Sequence, residues 1–165
     1  MRSIEILDIK DFMQLLLQSS AFDPYEFISG EIRTDMLYTL DGHLNKDFFS
    51  EEELSAMGAG SSGYLSWSMA KHKVFLLIKG KRTPSSMKIV LRFPEQMIQA
   101  ELSHAGSSLH ANDIDGIYAN IVFHEQKLNV ICGISYKIFT MDKNLEDYFS
   151  SKLVTLFKSF SIACQ

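Results

Sequence analysis

This chain has few of the residues that staple a small fold. Its 165 residues include two cysteines, Cys132 and Cys164, with no C-x-x-C and no metal-ligand spacing. A disulfide framework and a zinc ribbon are therefore excluded. Long apolar runs are missing too. The longest unbroken aliphatic and aromatic stretch is Val74 to Ile78, far short of the roughly 20 residues a membrane-spanning helix needs. Glu5, Asp8, Lys10 and Asp11 stand where a secretory leader would be apolar. These absences lead us to expect a soluble, cytoplasmic protein with reduced thiols and no membrane partner.

Signatures of catalysis are also absent. There is no H-E-x-x-H among His43, His72, His104, His110 and His124, and no G-x-S-x-G elbow. Asp113-Ile114-Asp115-Gly116 lacks the earlier ligands and the distal glutamate of a calcium loop. Gly58-Ala59-Gly60-Ser61-Ser62-Gly63 matches G-x-G-x-x-G, but a helix precedes it and no acid occurs between Leu54 and Pro94. A dinucleotide site needs a strand before and an acid about 20 residues on, so the glycines read as an inter-helix linker. We expect no metal and no cofactor.

What is present is a globular composition, 46% hydrophobic and 22% charged with mean hydropathy +0.01. One domain spanning 1–165 is expected at this length. The net charge of −4 conceals a segregation. Residues 1–53 are strongly acidic. Residues 71–92 carry Lys71, Lys73, Lys79, Lys81, Arg82, Lys88 and Arg92 and no acid.

Periodicity supplies the elements. Arg2 to Leu7 reads as a strand, and Asp8 as the N-cap of a helix to about Gln18. Tyr25 to Leu40 reads as one strand with Ile32, Met36, Tyr38 and Leu40 on a face, Gly30 permitting a turn or bulge. Asp41-Gly42 is a turn, and Ser50 with Glu53 forms a capping box for a short helix ending near Met57. A helix from Leu65 to Lys79 buries Trp67, Ala70, Val74, Phe75 and Ile78, with Gly80 as a left-handed stop. Lys88 to Phe93 alternates, turning Ile89, Leu91 and Phe93 inward and Lys88, Val90 and Arg92 outward. A helix from Pro94 to about Ala105 precedes the strands Ile117–Phe123 and Leu128–Phe139, which pair as a hairpin across Glu125-Gln126. Asp142 then caps an amphipathic C-terminal helix with Leu145, Phe149, Leu153, Leu156, Phe157 and Phe160 on one stripe. Hairpins mixed with helices, without βαβ repetition, give an α+β class: an antiparallel or mixed sheet of four to six strands packed against helices.

Several side chains have two readings. Cys132 shares strand parity with Leu128, Val130 and Ile134 and reads as buried, whereas Cys164 reads as exposed. Trp67 and the pair Phe48–Phe49 read as core, with a pocket wall as the alternative. Asp41 and His43 form an acid–base pair or simply a turn. Lys79-Gly80-Lys81-Arg82-Thr83-Pro84 is a basic turn suited to an anion. Equally, its cations suit a helix C-terminus, while Lys88 and Arg92 guard a sheet edge.

The strings Ile78 to Pro84, Asp41 to Asn45 and Gly133 to Thr140 resemble an uncharacterised family of small Gram-positive bacterial proteins, a domain of unknown function. The resemblance implies a single intracellular domain and brings no activity with it. From the residues themselves, the leading expectation is a non-enzymatic binding module. Its 71–92 segment would present Lys79, Lys81, Arg82, Lys88 and Arg92 to an acidic protein or a nucleic acid. A small enzyme with a pocket between sheet and helices is the alternative, favoured by a cleft of about 300 Å³ or more with converging His, Asp or Ser groups. An oligomeric subunit is the third reading, and internal pairing of the cations with the acidic N-terminal third is a further alternative.

Overall fold

The computed structural model describes residues 2–57 and 62–165. Seven strands and five helices follow in the order β1 (Arg2–Ile6), α1 (Ile9–Gln18), β2 (Glu26–Arg33), β3 (Leu37–Asp41), α2 (Glu51–Ala56), β4 (Leu65–Ser66), α3 (Trp67–Ile78), β5 (Ser86–Arg92), α4 (Glu95–Leu102), β6 (Ile114–His124), β7 (Lys127–Tyr136) and α5 (Asn144–Ser159). One antiparallel sheet runs β1-β7-β6-β5-β2-β3, and the two-residue β4 pairs with β2 off that path. This is the expected α+β class, with β4 as a strand beyond the four to six anticipated.

Strand parity builds a single core on one face of the sheet. Ile4, Ile6, Phe27, Ile32, Met87, Ile89, Leu91, Ile117, Ala119, Ile121, Phe123, Leu128, Val130 and Cys132 all point to that face and are buried. The helices meet them with Phe12, Leu16, Trp67, Val74, Leu145, Phe149, Leu153 and Phe157. Trp67 is wholly buried, and its indole N–H donates to the Leu16 carbonyl at 2.8 Å, so its one polar atom is satisfied. Burial also pushes the Cys132 thiol up to about 11. The opposite face keeps the other parity, with Ser3, Ser29, Lys88, Val90, Asn120, Val122, Asn129 and Ile131 exposed or half-buried. Among the described residues, its half-buried Val90, Val122 and Ile131 are not part of the core cluster.

Several expectations are corrected. The 25–40 stretch is a hairpin: β2 ends at Arg33 and β3 begins at Leu37, with Met36 on the turn and 56% exposed. Thr34 donates its amide to the Met36 carbonyl and its hydroxyl to Asp35, so polar local bonds break the run. The bulge falls between Phe27 and Ser29 rather than at Gly30. Leu65–Ser66 belongs to the sheet because β2 captures its backbone, and α3 starts only at Trp67, whose amide donates to the Tyr25 carbonyl. That helix ends on an extended Lys79 (φ −61°, ψ 142°), not on a left-handed cap. Asp8 makes no cap bond, since its carboxylate accepts from the Ala163 amide at 2.8 Å. Phe48 is 78% exposed and outside the core.

Cys164 is half-buried and bridges Ile6, and Glu5 and Leu7 bond Gln165 and Ala163. These last residues thus cover the outer edge of β1, which would otherwise offer unpaired amides. The β6–β7 turn is as expected, with Glu125 and Gln126 both at positive φ (49° and 64°), the geometry of a tight hairpin built without glycine. Ser50 accepts from the Glu53 amide at 3.1 Å, as the capping box requires. The glycine motif falls at 58–63, and its residues 58–61 lie outside the described residues.

Candidate binding sites at the two ends of the sheet

The seven cations of the 71–92 segment are divided by the topology of β5. The chain leaves α3 at Ile78, crosses the basic turn and enters the sheet where the Ser85 amide donates to the Arg33 carbonyl at 2.9 Å. Lys79, Lys81, Arg82 and Thr83 are exposed along this crossing, while Pro84 is buried and anchors it. Lys88 follows on β5 and is exposed on the sheet face away from the core, opposite Glu31 of β2. Arg33 joins the turn from the acidic third of the sequence. Among the described residues, Lys79, Lys81, Arg82 and Lys88 make no ion pair.

Arg92 lies at the far end of β5, about 13 Å from Lys88 and about 20 Å from Ser86 at roughly 3.3 Å per residue. Unlike Lys88, it is paired within the fold. Its Nε donates to Glu26 Oε2 at 2.5 Å, and both side chains are about four-fifths buried (22% and 20% exposed). Glu26, Arg92 and Tyr118 sit opposite one another on β2, β5 and β6. The guanidinium also lies 5.3 Å from the centre of the Tyr64 ring. Burial works against its charge, but bonds to Glu26 and Tyr118 outweigh burial and raise its pKa above the ordinary value.

Lys71 is likewise matched internally. Its ammonium turns into the α3 packing face, bonding Asp23 Oδ1 at 2.6 Å and the Ser19 carbonyl at 2.9 Å. Both structural pairs join the basic segment to the acidic N-terminal third, as the segregated charge allowed. Sequence reasoning missed the individual partners because Asp23 and Glu26 are 48 and 66 residues from their cations. No local spacing carries such a signal.

Asp41 and His43 do form a pair. Asp41 Oδ1 accepts from the His43 amide at 2.9 Å and contacts Nδ1 at 2.6 Å. These bonds, the backbone one first, hold the Asp41 carboxyl below its usual range. The pair is a turn that fixes a ring: His43 lies against Tyr64, centroids 4.5 Å apart. Gly42 permits this close path, since a Cβ there would sit 1.8 Å from the Phe27 carbonyl oxygen.

Two clefts adjoin the Arg92 end. The larger, about 410 Å³, is lined by Glu26, Tyr64, Ser66, Met69, Glu95 and Gln99 among others. It meets the size expected of an enzyme pocket, and its described lining holds Ser62 and Ser66 with the carboxylates Glu26 and Glu95 but no histidine or aspartate. The second, about 270 Å³, lies between α4, the turn Ala111–Asp113 and the ends of β5, β6 and β7. Among the described residues, no three His, Cys, Asp or Glu side chains gather to hold a metal ion.

A family model covers residues 14–165, and its description is a family of unknown function, DUF5721. The chain belongs to that family. The strings at 41–45, 78–84 and 133–140, which carried the resemblance, all fall inside the matched span. No curated protein and no solved structure matches the chain. No helix among the described residues is long and apolar enough to cross a membrane.

Proposed function

We propose that this DUF5721 protein is a non-enzymatic cytoplasmic binding module. It holds an acidic protein segment against the basic turn Lys79, Lys81 and Arg82, with Lys88 and Arg33 beside it. One observation carries the reading. The fold neutralises Lys71 and Arg92 with Asp23 and Glu26, yet the turn cations are exposed and, among the described residues, make no ion pair. If the segregated charge served folding alone, the turn would have drawn partners from the acidic third too. An acidic protein is favoured over nucleic acid because the whole chain carries −4, which repels a polyanion beyond the patch. The cytoplasmic placement is supported by the two free thiols, Cys132 and Cys164.

The test is fluorescence anisotropy of a labelled oligoglutamate peptide and, separately, a labelled single-stranded oligonucleotide. Each is titrated with the protein at about 50 and about 200 mM salt. Peptide binding that weakens with salt and drops about tenfold or more in a Lys79→Glu/Lys81→Glu/Arg82→Glu variant supports the proposal. Tighter oligonucleotide binding, losing about a hundredfold across that salt range as three to five phosphate contacts dictate, would reassign the surface to nucleic acid. Binding of neither overturns it.

A further inference from the structure

We propose that the 270 Å³ cleft at the Arg92 end binds a small zwitterion of the amino-acid class, with Arg92 as its carboxylate anchor. The inference concerns the opposite end of the sheet from the basic turn and stands independently of it.

Arg92 is held in a fixed pose before any ligand arrives. Glu26 takes its Nε, Tyr118 stands opposite it on β6 and Tyr64 lies 5.3 Å away. A guanidinium has five N–H donors in a rigid fork, so these contacts orient it without exhausting it. Such support by surrounding residues is what a binding site needs to hold its anchor. Gly116 is part of the arrangement. A Cβ there would come within 2.7 Å of the Tyr118 hydroxyl, so the glycine leaves Tyr118 its present place and a larger residue would displace the ring. The β6–β7 register slips between Ile114 and Gly116, placing this irregularity at the cleft wall.

The charges of the cleft select the ligand. Arg92 and Lys137 supply cations, and Glu95 and Asp115 supply carboxylates, with Gln99 and Asn112 as neutral hydrogen-bonding groups. Two carboxylates thus balance two cations in the lining, and Glu26 already pairs with Arg92, so a free dianion such as phosphate gains no net attraction. A ligand with its own ammonium satisfies both signs: carboxylate to Arg92 and Lys137, ammonium to Glu95 and Asp115. The volume lies just under the roughly 300–1,000 Å³ of sites for drug-sized molecules, consistent with one amino acid rather than a nucleotide.

The test is thermal denaturation and amide-resolved NMR of the full chain with each L-amino acid, its N-acetyl form and its carboxamide. At about a hundred times Kd, a bound amino acid should raise Tm by about 5–10 °C. Its N-acetyl and carboxamide forms should bind at least about tenfold more weakly. Arg92→Lys keeps the charge but loses the fork, and should weaken binding about tenfold or more. Should that variant unfold, Lys137→Gln serves, because Lys137 is exposed and its side chain makes no ion pair among the described residues; it should weaken binding several-fold. Charge reversal of Lys79, Lys81 and Arg82 should leave amino-acid binding unchanged. The assignment is overturned if no amino acid shifts Tm at about 20 mM, if Arg92→Lys and Lys137→Gln both bind as the parent does, or if succinate binds in preference.

Discussion

The two ends of β5 carry cations from one basic segment, and the fold treats them oppositely. At the β2–β3 end, Lys79, Lys81 and Arg82 are exposed and make no ion pair among the described residues, beside a buried Pro84 that fixes the turn. At the other end Arg92 is sunk against Glu26, Tyr118 and Tyr64, and Lys71 beneath α3 is bound to Asp23 and Ser19. Residue type does not separate these groups, and neither does position along the sequence. What separates them is which carboxylate the antiparallel register and helix packing bring alongside. A charge near-buried with a partner is part of the fold, whereas an exposed one without a partner costs the fold nothing and is free for another molecule.

The contrast is sharpened by removing partners one at a time. Asp23→Ala leaves the Lys71 ammonium, 11% exposed, with only the Ser19 carbonyl. A loss of about 3 kcal/mol is expected, read as a lowered urea midpoint. Cys132 extends the same comparison to thiols. Burial raises its pKa from 9.0 to about 11, so the folded state favours the protonated thiol. The sign follows directly: this contribution is complete below about pH 9 and is lost as pH rises toward about 11, worth about 2–3 kcal/mol in all. Urea midpoints at pH 8 and 10.5 should therefore diverge more in the parent than in Cys132→Ala. Half-buried Cys164 should react with a maleimide in the native state while Cys132 does not.

Glu26→Gln keeps the shape and removes the charge opposite Arg92. A smaller loss, about 2 kcal/mol, is expected in the same urea experiment. The smallest stability change belongs to Lys79→Glu/Lys81→Glu/Arg82→Glu, within about 0.5 kcal/mol of the parent, because no described contact is removed. A large drop there would show that the turn is held electrostatically after all, and the contrast between the two ends would collapse.

Much of this architecture was legible along the chain because side-chain parity is a local property. Ile89, Leu91 and Phe93 alternate inward, and Leu145, Phe149, Leu153 and Phe157 form the stripe of the last helix, as their spacing requires. Failures came where a distant backbone competed. Leu65 and Ser66 carry a helical pattern, yet β2 claims their hydrogen bonds. Asp8 has the sequence of a cap but is taken by the Ala163 amide, 155 residues away. The candidate sites divide in the same way. The exposed turn was readable because its residues are contiguous. The Arg92 site was not, since Glu26, Tyr64, Tyr118 and Lys137 come from four separate segments that only strand order assembles. Arg92 and Lys88 even share strand parity, so periodicity placed in one patch two cations that lie far apart in charge environment.

The division of labour is tested most directly by taking one sample of the Lys79→Glu/Lys81→Glu/Arg82→Glu variant and measuring both its urea midpoint and its affinity for the oligoglutamate peptide. The midpoint should equal the parent's, and peptide binding should weaken about tenfold or more. A lowered midpoint with peptide binding intact would contradict it, placing the basic turn among the contacts that hold the fold rather than those that meet a partner.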